Sequence, residues 1–258
     1  MGIIHPFLML VGFSLCSAFL KNMSKTSASI RAQSGLSAIK IEDVLKTPQW
    51  PEKWPFKPAD FARQDESDDE IFYSQERLVH HIDDGARAAL TKYYKNQFFE
   101  GADVLDICSS WVSHYPKDVK LGRVAGLGMN EYELSKNEQL SEYTVRNLNK
   151  NPLLPYEDNS FDFVTNVVST DYLNKPMEIF SEINRVLKPG GIAICSQSNR
   201  CFPTKAINIW LQTNDAEHVF IIGSYFHYAG KFEPPESVDI SPMFGDPMFI
   251  IQGKKAYN

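Results

Sequence analysis

The sequence predicts an α/β fold on a mostly parallel sheet, preceded by an N-terminal cap. Three observations carry this. Short apolar runs with the character of buried strands recur between residues 102 and 198. An amphipathic helix lies between the last two of them. Residues 42–97 differ in texture, first rich in proline and aromatic residues and then helical in pattern. Strands alternating with helices imply crossover connections, and in such sheets ligands sit at the carboxyl ends of the strands.

The elements follow in order. In residues 42–74, Pro48, Pro51, Pro55 and Pro58 interleave with Trp50, Trp54, Phe56 and Phe61. The prolines exclude regular helix, and the aromatic rings are expected to staple this segment onto the main domain. From Gln75 to Tyr94 a helix is expected, with Leu78, Val79, Ile82, Ala86, Ala89, Leu90 and Tyr93 on one face. His80 and His81 fall inside it, about 100° apart, which disfavours a shared metal. Ala102–Cys108, Arg123–Gly128, Phe161–Ser169 and Gly191–Ser198 are the four expected strands. Met177–Lys188 is the expected helix, stopped by Pro189-Gly190-Gly191.

The first forty residues look like an address. The run Phe7–Phe19 has the length of a signal-peptide core and is too short to span a bilayer. Residues 1–18 are therefore expected to be signal-like. Residues 19–41 are expected to be transit-like, being rich in Ser, Ala, Lys and Arg without an acidic residue. The Ser17-Ala18-Phe19 junction resembles that of bipartite presequences for secondary plastids, which makes plastid import the expected localisation and a plain secretory route the alternative.

The chain has 26 basic and 32 acidic residues, and four of the basic ones precede Glu42. The remainder therefore carries 22 basic against 32 acidic residues, a net of −10. So acidic a body is a poor candidate for nucleic acid or an anionic membrane, the 13-residue apolar run Phe7–Phe19 is too short for stable membrane insertion, and the aromatic-rich cap favours a small, partly apolar molecule as the expected partner. No feature of the sequence sets an oligomeric state. Four cysteines without a Cys-x-x-Cys pair exclude a disulfide scaffold and a zinc knuckle.

Three segments carry a resemblance: Val104-Leu105-Asp106-Ile107, the run from Leu154 to Val164, and Ile183 to Gly191 with its Leu-Lys-Pro-Gly-Gly turn. Together they resemble the class I S-adenosylmethionine-dependent methyltransferases, in particular the type 11 methyltransferase domain, over about residues 98–200. The phrases at 109–116, 126–134 and 198–206 are similar to a plant, algal and bacterial subgroup. The resemblance implies a Rossmann-like seven-stranded sheet, mostly parallel with one antiparallel strand, over residues 98–258, with residues 219–222 and 247–252 as the expected parts of its terminal hairpin. It also implies S-adenosyl-L-methionine as cofactor and methyl transfer to a nucleophile.

Carried onto this sequence, the implied cofactor contacts are Asp106, Ser109, Ser110, Gly128, Asn130, Asn147, Leu148 and Ser169. Three departures stand out. The loop after the first strand, Cys108-Ser109-Ser110-Trp111-Val112, lacks the family's glycines. Gly128 stands where the family has the ribose-binding acid, with Asn130 or Glu131 as substitutes. Asn147 stands where it has the acid beside adenine. Candidate bases for an acceptor that must lose a proton are Asp171 and His114. Two other classes remain in view: a non-catalytic binding or assembly module, favoured by the missing glycines, and a nicotinamide-dependent oxidoreductase, suggested by Tyr132-x-x-x-Lys136.

Overall fold

Residues 39–257 are described by the structure, a computed structural model; the expected signal-like segment and nearly all of the transit-like one lie outside them. Seven strands form one sheet: β1 Val104–Ile107, β2 Val124–Gly128, β3 Glu142–Val145, β4 Phe161–Val167, β5 Leu187–Gln197, β6 Glu236–Asp239 and β7 Phe249–Lys254. The helices are α1 Asp69–Phe72, α2 Asp84–Gln97, α3 Glu131–Lys136, α4 Pro176–Val186, α5 Asn208–Leu211 and α6 Asp215–Ala229.

The spatial order is β3-β2-β1-β4-β5-β7-β6. Only β7 runs antiparallel to its neighbours. β1 is buried at all four positions because it is paired on both edges, parallel to β2 and to β4. After β1 the chain winds outward through β2 and β3, then returns to lay β4 on the other side of β1. The order thus reverses beside β1, where a crevice opens above the carboxyl ends.

At the opposite end the strand entries are pinned by charge. Lys188 Nζ bridges Asp103 at 2.9 Å and Asp162 at 2.8 Å. The pairing of β4 with β5 slips between Phe161 and Phe163, which absorbs Lys188–Gly191 as an irregularity. The Pro-Gly-Gly turn is therefore a bulge inside β5, and α4 ends at Val186 rather than Lys188.

The cap is fastened by aromatic packing. Trp50 lies 4.7 Å from Phe220 and stacks on His227 at 4.9 Å, and Trp54 meets Tyr225 and Tyr228. The receiving surface is α6, which is buried at every position from His218 to Phe226 and packs its other side on Phe180 of α4. Backbone bonds add to this: Asn208 N donates to Ala62 O, and Asp65 N to Thr204 O.

Three expectations change. The helix expected from Gln75 begins only at Asp84, because the Asp83 carboxylate accepts from Ala86 N and caps it. Residues 75–83 are an irregular strap, and Leu78 and Val79 are exposed. Residues 219–222 lie within α6, whose start is fixed by a reciprocal Asn214–Glu217 capping box. A short apolar run does not separate a buried strand from a buried helix. The partner of β7 is instead β6. β3 carried no strand signal because it is an edge strand of mostly exposed residues.

Candidate active site

Above the carboxyl ends of β1, β2 and β4 the chain encloses a cavity of about 290 Å³, roofed by cap and strap residues. Asp106, Ser109, Ser110, Gly128, Asn130, Asn147, Leu148, Ser169 and His114 all line it. Asp171 does not.

The loop after β1 takes its shape without glycine. Its left-handed residues are Cys108, at φ 55°, and His114, at φ 60°, and Trp111 is not one of them. Ser109 N donates to Leu127 O at 2.8 Å, drawing the loop across the end of β2. Ser109 Oγ and Ser113 Oγ both donate to Asp106 Oδ2, at 2.7 and 2.6 Å, and Thr165 Oγ1 donates to Oδ1 at 3.2 Å. Burial pushes the Asp106 carboxyl up to about 6, against the three hydroxyls that favour its ionised form. Asp106 thus lies at the cavity floor and organises the loop. Trp111 forms a wall: its Nε1 donates to Val79 O on the strap, and its ring lies 4.7 Å from that of His80.

The acidic position also has a geometric answer. A Cβ on Gly128 would meet the Ser109 carbonyl oxygen at 2.1 Å, so no side chain fits there. Asn130 is committed at both ends of its amide. Its Oδ1 accepts from Glu133 N as the α3 cap, and its Nδ2 donates to Tyr73 O. The carboxylate on this wall belongs to Glu133, one turn into α3, while Glu131 is exposed. Glu133 is buried, and accepts from Arg77 N at 2.7 Å and Ser110 Oγ at 2.6 Å. Counting residues from the strand end passed over Glu133. Its position at N3 beside buried Leu134 was the available signal. Asn147 is buried and accepts from Asn149 N through Oδ1; among the described residues nothing accepts from its Nδ2. That amide and the buried Leu148 form the wall beyond β3.

After β4 the backbone is strained: Val168, a β-branched residue, sits at φ 40° on the cavity surface. Ser169 Oγ donates to Val167 O. Asp171, expected as a base, is fully buried and does not line the cavity, and burial raises its carboxyl well above the ordinary value. His114 does face the cavity. Burial, with help from His80 and Arg87, pushes it down to about 4, so it is a neutral imidazole at physiological pH. Tyr172 and Phe202 line the far side, and Arg200 is held by Asp246 at 2.7 Å.

Tyr132 and Lys136 lie outside the cavity; half-exposed Tyr132 carries the Lys136 ammonium over its ring at 4.8 Å. Burial raises the Cys108 and Cys195 thiols to about 12, as befits small apolar residues. Among the described residues no cluster of His, Cys, Asp and Glu is arranged to hold a metal, and no helix is long and apolar enough to cross a membrane.

Comparison with known proteins places this geometry. Residues 107–195 match the methyltransferase domain family. A demethylmenaquinone methyltransferase of Staphylococcus aureus is 34% identical over 110 residues, which is 39% of this chain and 45% of that protein. The chain thus matches about half the length of this curated relative. Among solved structures, the cyclase SpnF superposes with TM-score 0.50 at 16% identity, covering 71% of this chain and 89% of that one. The phosphoethanolamine N-methyltransferase 2 of Haemonchus contortus, solved with S-adenosyl-L-methionine, gives 0.48 at 15% identity, covering 66% and 52%. The chain has the class I methyltransferase fold, and its residues 107–195 are similar to the methyltransferase domain family.

Proposed function

We propose that this protein transfers a methyl group from S-adenosylmethionine to a small molecule held between the strand-end loops and the cap. The observation that carries the reading is the Ser109 carbonyl lying against Gly128, which brings the glycine-free loop down onto the end of β2 and leaves the cavity open above it. The residues present fit the cofactor. The loop at Ser109–Ser110 would hold the amino-acid end. Glu133 would take the ribose hydroxyls in place of the absent acid at 128. Asn147 Nδ2 and Leu148 would meet the base, where an amide can bond adenine's edge as an acid does.

The cofactor supplies a sulfonium methyl that is already electrophilic. The chain's task is alignment and exclusion of water. Asp106 fixes the loop through three hydroxyls. Trp111 and the strap close the near side. His114, neutral and half-buried, accepts a hydrogen bond from an acceptor hydroxyl and holds its lone pair toward the methyl. In this reading residues 42–97 are a cap on a domain of residues 98–258.

Calorimetric titration of the full chain with S-adenosylmethionine, S-adenosylhomocysteine and NADH tests it. Heat from the first two alone supports the proposal. Silence from all three supports a binding or assembly module, the reading favoured by the engagement of every serine hydroxyl in this loop within the protein itself. The likeness to a cyclase shows that the fold alone does not choose the reaction.

On the sequence alone we also propose that residues 1–41 direct import into a plastid. Fused to a fluorescent protein in an alga with secondary plastids, they should bring the signal to that organelle, and diffuse or secreted fluorescence would refute it.

A further inference from the structure

The body is strongly acidic, yet the cavity is lined by five arginine and lysine side chains against three carboxylates. Most of these charges are already matched. Asp69 takes two bonds from Arg63 Nη1, at 2.7 and 2.9 Å, and lies 3.3 Å from Lys205 Nζ. Arg200 is paired with Asp246. Arg146 bonds the Leu153 carbonyl at the β3 side. Among the described residues neither Arg146 nor Arg77 has a carboxylate partner, and Arg77 is the one of the two set over aromatic rings; its Nη1 donates only to the carbonyls of Phe72 and Gln75. Glu133 bonds the backbone amide of Arg77 and not its guanidinium.

Rings surround this cation. The Arg77 guanidinium lies 4.5 Å from the ring centre of Phe72 and 5.6 Å from that of Phe202. Phe202 in turn sits 5.4 Å from His81, 6.0 Å from Tyr172 and 5.3 Å from Phe72. A planar cation that lines the cavity among aromatic rings, and whose Nη1 alone donates within the protein among the described residues, suits a flat anion. Guanidinium matches carboxylate in a two-point fork, and the rings accept a planar body by stacking.

Resting on the methyltransferase reading, we propose that the cap side of the cavity is the acceptor subsite, and that the acceptor is a planar aromatic carboxylate bound by Arg77. Its carboxylate end lies against the strap at Arg77, beside Phe202. Its nucleophilic end points back toward the loop after β1.

The test uses 4-hydroxybenzoate and its neutral isostere 4-hydroxybenzamide as probes, titrated calorimetrically into the full chain. The acid should bind at least 10-fold more tightly than the amide, and rising salt should erode the difference. Arg77→Met keeps the stem over Phe72 and the backbone amide on Glu133, and should erase the preference. Arg77→Lys should restore part of it. Equal binding of the two probes, no binding of either at millimolar concentration, or a preference that survives in Arg77→Met would each overturn the proposal. S-adenosylhomocysteine titrated into the wild-type chain and Arg77→Met judges the methyltransferase reading separately. Intact binding of it in both, alongside a missing acid preference, would leave that reading standing and this one refuted.

Discussion

The carbonyl oxygen of Ser109 stands 2.1 Å from the point a Cβ on Gly128 would occupy. Both residues belong to the cavity, and the contact is backbone against backbone, so neither side can yield by turning a side chain. The position after β2 where a ribose-binding acid was expected is thereby closed to any side chain. The carboxylate on that wall of the cavity is Glu133, one turn into α3.

Gly128→Ala should lift the loop off β2. Overpacking of this kind costs about 1–3 kcal/mol. The expected outcome is a chain that still folds, with a lowered Tm in calorimetry and no measurable heat on S-adenosylhomocysteine titration. Wild-type affinity in this variant would contradict the placement of the loop.

Glu133→Gln removes the charge and keeps the size. A charge-assisted hydrogen bond contributes about 1.5–3 kcal/mol, so affinity for S-adenosylhomocysteine should fall roughly 10- to 100-fold. The Tm should change by only a few degrees. An unchanged affinity would show that the ribose lies elsewhere.

Asp106→Ala deletes the acceptor of Ser109, Ser113 and Thr165 at once. Cofactor affinity should drop sharply, because the loop loses its anchor. Asp106→Asn keeps one acceptor oxygen, and should retain more of the affinity than alanine does. Equal effects of the two would show that the carboxamide oxygen does not replace the carboxylate here.

Asp171 makes stability depend on pH with a defined sign. Its folded-state carboxyl is raised well above the value near 3.8 of an unfolded chain. The folded protein therefore holds the proton more tightly, and stability falls as pH rises above about 4 until the folded carboxyl itself ionises. Over that interval the slope is about 1.4 kcal/mol per pH unit from this group. Asp171→Asn, which cannot ionise, should gain on wild type as pH rises from 4 to 7 in paired melting curves. A difference independent of pH would place the carboxylate in contact with water or a cation.

Phe180 touches both Tyr225 and Phe226, at 5.3 and 4.8 Å between ring centres. Phe180→Ala should cost about 3–5 kcal/mol. It should also loosen the cap, since α6 is the surface on which Trp50 and Trp54 rest. Protease cleavage near residues 48–58 would report that release.

How far the fold was legible depended on each segment's surroundings. β1, β2, β4 and β5 were readable because strands buried on both faces are continuously apolar, and that composition is local. β3 was not, because an edge strand such as Glu142–Val145 is held by pairing with β2 rather than by its own side chains. The run at 219–222 misled because helix and strand bury the same four apolar residues equally well. The capping box at Asn214 and Glu217 was the discriminating signal.

The sequence by itself determined the alternation of strands and helices, the aromatic staple, and the identity of the first-strand acid and its loop. These rest on short-range rules of polarity and spacing that each segment carries within itself. Only the tertiary structure decided that Glu133, Arg77 and the strap line the same cavity as Ser109, that Asp171 is buried and does not line it, and that position 128 admits no side chain. Those facts arise from the close approach of segments tens of residues apart, where the excluded volume of one backbone decides what the other can carry.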